Sequence, residues 1–277
     1  MSKKFRFALL AGLMPAALFS FTSVVSAQSG SWFLPQFDPV PAPEANLPHR
    51  WSLSLGVGVF TAPEYEGSDN YDVVAFPSIR ASYGENLSFN ARQGLRYNFL
   101  NEAGFTLGAG VGGHFGRDED RSSYLTGLGD IDPTAEGKLF ADYRVGPAKL
   151  SFTFAHDILD EHGGFRAKAK VGTGFPVPTF DLFVRPSIST TFASDDYMDS
   201  FFGISAAQAA SSGLAAYNPD AGFKDVSANV LVIKKFGERW SSTGKLSYKQ
   251  LLTEAADSPI VKKEGQIFAG VSLSYKY

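Results

Sequence analysis

From Arg50 onward, apolar residues alternate with small or polar ones at a period of two, the spacing that sends successive strand side chains to opposite faces. Trp51, Leu53, Leu55, Val57 and Val59 take one face, and Ser52, Ser54, Gly56 and Gly58 the other. Phe105, Leu107, Ala109 and Val111 alternate in the same way with Thr106, Gly108, Gly110 and Gly112. Leu139, Ala141, Tyr143 and Val145 stand against Lys138, Asp142 and Arg144, with Phe140 interrupting the polar face. Phe165, Ala167, Ala169 and Val171 alternate with Arg166, Lys168, Lys170 and Gly172, and the final stretch sets Ile267 to Tyr277 against Gln266 to Lys276. Turn residues divide the pattern into twelve predicted strands: 51–62, 73–83, 86–92, 94–100, 104–115, 136–145, 149–157, 165–175, 179–193, 223–235, 240–252 and 265–277.

Alternation alone suits a soluble sandwich as well as a barrel. The second face decides between them. Small and charged residues recur there, and aromatics gather near the ends of the apolar stripes, as in a barrel with lipid outside and a polar interior. Connections also alternate in length: Gly84-Glu85, Gly146 to Ala148 and Phe236 to Arg239 are short, whereas 116–135, 194–222 and 253–264 are long. The expected fold is therefore all-β, a single antiparallel transmembrane β-barrel of twelve strands spanning residues 50–277. Around Gln93 the reading divides, because 86–99 also reads as one long strand and would make the count odd. The chain ends Val-Ser-Leu-Ser-Tyr-Lys-Tyr, an amphipathic last strand with a terminal aromatic.

The first 27 residues read as an export signal. Lys3, Lys4 and Arg6 precede an apolar run from Phe7 to Phe21, and Val25-Ser26-Ala27 offers the small residues of a cleavage site after Ala27. No later apolar run reaches the roughly 18 residues of a spanning helix. Residues 28–49 hold Pro35, Pro39, Pro41, Pro43 and Pro48, a density that favours extended polyproline backbone and excludes a sheet interior. This segment reads as a periplasmic extension, either a plain tail or a partner-binding peptide with Trp32, Phe33 and Phe37 as anchors.

Composition narrows the chemistry. The chain has no Cys, which removes disulfides, thiolate metal sites and cysteine catalysis, and only 4 His. Its net charge of −3 argues against nucleic acid as a partner. Ser151 and Thr153 lie close in sequence to His156, but the alternation puts them on opposite faces, and no Gly-x-Ser-x-Gly elbow occurs. No catalytic residue and no cofactor is expected. His114 near Asp118, Glu119 and Asp120 could hold a metal, but solvated loop carboxylates account for those residues more simply, so no metal site is assigned. The acidic loops serve solubility or, through divalent ions, contact with lipopolysaccharide phosphates at the outer membrane lipid surface.

The inward face has the opposite sign. The strand registers direct Arg80, Arg92, Arg96, Lys138, Arg144, Arg166, Lys168, Lys170, Arg185, Lys245 and Lys249 into the lumen, opposed by Asp142, Asp181 and Asp225. Each such cation costs roughly 2–4 kcal/mol on the lipid face at the midplane, so the interior is where they belong. They either line an anion-favouring path or form a network that plugs it.

Four separated segments carry a family resemblance: Ala62-Pro63-Glu64-Tyr65-Glu66-Gly67-Ser68, Gly127-Leu128-Gly129-Asp130-Ile131, Tyr197 to Gly203 with Ser212-Gly213-Leu214, and Ala255 to Val261. In this order the chain from Trp51 to Tyr277 resembles the MltA-interacting protein/OmpV (MipA/OmpV) family of Gram-negative outer-membrane proteins. The resemblance implies a non-enzymatic envelope protein that scaffolds a murein transglycosylase and a murein synthase. In other members it implies porin-like solute permeation or adhesion.

Overall fold

The computed structural model describes residues 51–277. The export signal, the proline-rich segment and Trp32, Phe33 and Phe37 lie outside the described residues. The strands are β1 (Trp51–Pro63), β2 (Tyr71–Tyr83), β3 (Leu87–Asn90), β4 (Gly94–Glu102), β5 (Phe105–His114), β6 (Thr134–Val145), β7 (Ala148–Asp157) and β8 (Phe165–Thr173). There follow β9 (Phe175–Val177), β10 (Leu182–Ala193), β11 (Gly222–Phe236), β12 (Trp240–Leu251) and β13 (Gly265–Lys276). Each strand pairs antiparallel with its neighbour, and β13 returns to β1 from Lys276↔Ser54 to Ala269↔Thr61. Both β8 and β9 pair with β10, so they form one stave broken at Gly174. The result is the closed twelve-stranded antiparallel barrel expected from the alternation. Closure leaves no sheet edge at the seam, as a spanning sheet requires.

The apolar stripe faces outward. Val57, Leu139, Ile188, Leu246 and Val271 are all exposed on the outer wall. Aromatic pairs mark both ends of this band. At the short-turn end Trp51 meets Tyr83 at 5.2 Å, Phe105 meets Tyr143 at 4.1 Å and Trp240 meets Tyr275 at 5.0 Å between ring centroids. At the long-loop end Phe154 meets Phe165 at 5.2 Å and Phe192 meets Phe223 at 5.7 Å. Amphipathic rings in two girdles are what the headgroup regions of a bilayer favour.

Two strands depart from the alternation reading in ways that matter for the lumen. The third strand shortens to Leu87–Asn90 and pairs with β2 only from Arg80 to Tyr83. The stretch 86–99 is thus a hairpin turning at Ala91 to Gln93, which settles the even count. The strand expected at 179–193 starts at Leu182, because Pro178–Phe180 forms a short 3-10 turn closed by Asp181 in the left-handed region (φ 53°). Asp181 is therefore an exposed turn residue and does not face the lumen.

At the other end the connections fold over the barrel. They contain α1 (Asp195–Phe202), capped by the Ser194 side chain, α2 (Ala206–Ser212) with a Ser205/Gln208 capping box, and the single turn α3 (Thr253–Ala256). Among the described residues no helix is long and apolar enough to cross a membrane.

Candidate functional site

The four segments that carry the family resemblance meet in space. Tyr65, Leu128, Tyr197, Met198, Phe201, Phe202, Ala255 and Ile260 form one buried cluster with Leu125, Ile204 and Leu251. Tyr197, Met198, Phe202 and Ile260 are wholly inaccessible to solvent. Hydrogen bonds join the loops pairwise. Tyr65 Oη donates to the Ile260 carbonyl (2.9 Å), Ser258 Oγ to that of Phe202 (2.5 Å) and Arg117 Nη1 to that of Phe201 (2.8 Å). Gln208 Nε2 donates to the Leu128 carbonyl at 2.6 Å, and Tyr124 Oη to that of Pro259 at 3.1 Å. Gly67 sits at φ 107° against Val261, where a Cβ would lie 2.7 Å from the valine side chain, and its carbonyl accepts from Lys262 and Lys263. These loops act as one apolar cap with its own core, closing the long-loop end.

Charged residues lie beneath the cap. Glu66 reaches down from the first loop to Lys224 (2.5 Å) and Lys249 (2.7 Å), and Lys224 also contacts Asp225 (2.8 Å). Glu136 binds Arg166 and Lys138, the latter at 3.3 Å. The Arg166 guanidinium stands 5.1 Å from the Tyr197 ring and Lys224 Nζ stands 5.8 Å from that of Phe202, so the layer also contacts the aromatic underside of α1.

Below that layer lies a cavity of about 670 Å³. It runs from Glu136, Arg166 and Lys249 down to Pro147, Ala148 and Thr173 at the short-turn rim, and among the described residues none of the cap's apolar side chains lines it. Twelve Lys or Arg residues and three carboxylates form its wall. Arg92, Arg96, Lys138, Arg144, Arg166, Lys168, Lys170, Arg185, Lys245 and Lys249 are placed there. Arg80 is not among them; it lies inside the wall on β2, lower than Phe76, while Arg92 stacks on Phe76 (4.3 Å) and Phe60 (5.2 Å). Asp142 pairs with Arg96 (2.9 Å) and Lys149 (3.3 Å), and Arg96 also stacks on the inward Phe140 (4.4 Å).

Three lining charges escaped the sequence reading. Lys149 shares its parity with Ser151 and Thr153, and Glu136 shares its parity with Lys138, so alternation alone could have found both. Lys224 could not be found that way. The β10–β11 register shifts between Thr191↔Asp225 and Phe192↔Phe223, a bulge at Lys224 that turns it inward beside Asp225. A bulge breaks the period-two rule at one residue without leaving a mark in composition.

His156 is exposed on the outer wall, whereas Ser151 and Thr153 line the cavity, so the three do not meet. Glu119 Oε2 accepts from the Gly127 and Gly129 amides, and Asp130 from the Glu119 amide; these carboxylates shape their own loop. His114 packs inside the cap against His162 (5.4 Å) and Phe201 (5.0 Å), with Nε2 3.5 Å from Tyr197 Oη.

Two buried cap groups make closure sensitive to acid. Burial holds the His162 ring below the usual histidine range. Burial also opposes ionisation of Glu66, but Lys224 and Lys249 outweigh it and hold its carboxyl below the usual carboxylate range. In both cases an opened state binds protons that the closed cap excludes, so closure is most stable at neutral pH and weakens as pH falls. The His162 contribution declines below about pH 6.5 and the Glu66 contribution below about pH 4.3. Proteolysis of the 194–221 connection in detergent should therefore quicken on acidification, first below about 6.5. A rate that stays flat from neutral pH to pH 4, after correction for the protease, would contradict this.

The family model for MltA-interacting protein MipA matches residues 55–277. The chain is 27% identical to outer membrane protein OmpV of Vibrio cholerae over 193 residues, covering 68% of this chain and 74% of that one. It is 26% identical to the MltA-interacting protein of Escherichia coli K12 over 240 residues, covering 84% and 92%. Among solved structures it is similar to OmpT of Vibrio cholerae (TM-score 0.37, 8% identity, 82% and 97% covered). It is also similar to an outer membrane channel from Pseudomonas putida F1 (TM-score 0.40, 11% identity, 87% and 100% covered).

Proposed function

We propose that this chain, which belongs to the MltA-interacting protein MipA family, is a non-enzymatic outer-membrane barrel that anchors murein-synthesising and murein-cleaving enzymes on its periplasmic side. The observation that carries this reading is the cap. A barrel whose long-loop end is closed by a buried apolar core serves better as an anchor than as an open pore. The relative from Escherichia coli bears the name MltA-interacting protein, which supports a murein transglycosylase as one partner. Export with cleavage after Ala27 would leave residues 28–49 on the short-turn side, where the barrel itself offers only tight turns. Trp32, Phe33 and Phe37 are then the anchors a partner groove would take.

Deleting residues 28–49 should abolish capture of a murein transglycosylase while leaving the barrel inserted and heat-modifiable on gels. Equal capture by the truncated protein would refute the assignment. Purified wild-type protein should show no lipid or peptide hydrolysis, and His156→Ala should be indistinguishable from it.

A second reading rests on the twelve cations of the cavity wall. If the cap opens, the lumen becomes a path that favours anions, and the protein acts as a porin-like channel for small anionic solutes.

A further inference from the structure

One niche in the cavity wall differs from its surroundings. It measures about 20 Å³ and is lined by Lys168, Lys170, Arg185, Ser187, Ser189, Asn229, Leu231 and Lys245. Four adjacent staves build it. Lys170 pairs with Ser189 across β8 and β10, Ser187 with Asn229 across β10 and β11, and Leu231 with Lys245 across β11 and β12. Its lining sets the short hydroxyls of Ser187 and Ser189 among four long cations. This arrangement leaves an oxygen-sized recess with positive charge on several sides.

The remaining contacts favour an anion with several oxygens. Ser189 is 3% exposed, and its Oγ has no hydrogen-bond partner among the described residues. A buried hydroxyl without a partner is costly, and a guest oxygen would satisfy it. Asn229 Oδ1 already accepts from Ser247 Oγ at 2.7 Å, so the group it presents to a guest is its amide NH2. Arg185 brings a planar fork of donors suited to two oxygens of one group. Among the described residues no carboxylate lines the niche. Asp225, two inward positions from Asn229 on the same strand, contacts Lys224 (2.8 Å) and Thr191 (3.2 Å).

We propose that this niche is a binding site for a phosphate group, on inorganic phosphate or a small phosphate ester entering from the short-turn end. One oxygen occupies the recess between Ser189 and Lys170, and the rest of the group projects into the larger cavity toward Arg185 and Lys245. The site requires neither captured enzymes nor an open cap, so it stands apart from both functional readings.

The test uses the full mature chain folded in detergent, titrated with inorganic phosphate by calorimetry at fixed ionic strength. The expected result is saturable binding of one phosphate per barrel. Replacing Lys170 and Arg185 together by Gln should weaken it roughly tenfold or more. Ser189→Ala should weaken it about fivefold. Arg144→Gln, in the same cavity outside the niche, should change it less than about twofold. Heat-modifiable migration checks that each variant has folded. Absence of saturable binding to folded wild-type protein would overturn the proposal. So would equal loss from Arg144→Gln, or equal competition by chloride at matched ionic strength, since either would mean diffuse attraction to a basic lumen.

Discussion

Replacing residues 195–213 by a short Gly-Ser linker should turn an electrically silent barrel into one that conducts with anion preference. The excised stretch contains α1 and α2, and α1 supplies Tyr197, Met198, Phe201 and Phe202 to the centre of the cap. Without them Tyr65, Leu125, Leu251 and Ile260 lose the surface they pack on, and nothing apolar spans the long-loop end. The barrel wall should survive, because its ladders close through β13 and β1 independently of these loops. Ions would then meet a lumen with a large excess of cations. Adding Lys168→Glu and Lys170→Glu should reduce the anion preference. Arg166 is left intact in this test because it holds Glu136. Stepwise current in planar bilayers is the measurement. Correctly inserted, excised protein that stays silent would show that the basic layer alone blocks the lumen, and cation preference would show that the wall does not set the field.

Glu66→Ala should destabilise closure of the cap by about 3 kcal/mol, the usual cost of leaving a buried cation without its counterion. Glu66 contacts both Lys224 and Lys249, and Lys224 is only 3% exposed. Asp225 remains on Lys224 in the variant, which keeps the loss at the lower end of the range for broken buried pairs. Combining Glu66→Ala with Lys224→Met and Asp225→Asn should restore much of the stability, because the apolar chain needs no partner and no buried carboxylate is left without its cation. The readout is the urea concentration at which the 194–221 connection becomes protease-sensitive. A Glu66→Ala midpoint equal to that of the wild type would mean that the ion pair contributes nothing to closure, and a triple variant no more stable than the single one would refute the compensation.

The wall of this barrel was legible residue by residue. Each stave must present apolar side chains to lipid and polar ones to the interior, so the chain from Trp51 to Tyr277 records its own inside and outside every second residue. Placing Arg166, Lys168 and Lys170 together on one inward face needed nothing more. The alternation reading missed the interruptions of that rule, namely the bulge at Lys224, the 3-10 turn that exposes Asp181, and the early end of β3 at Asn90.

The cap had no such record. Its contacts join Tyr65 to Ile260 and Arg117 to Phe201 across most of the chain, and irregular loops have no period from which a partner can be read. The four resemblance segments were visible as words in the sequence, but not as one object. Glu64 and Glu66 looked alike in the first loop, yet only Glu66 descends to Lys224 and Lys249. By itself the sequence determined the barrel, its orientation of apolar and charged faces and its basic interior, because a strand's two faces are a local property of the chain. Only the tertiary structure decided that the lumen is capped, which carboxylates enter it and where its cations converge on a niche. Those depend on loops that acquire their conformation by packing against one another.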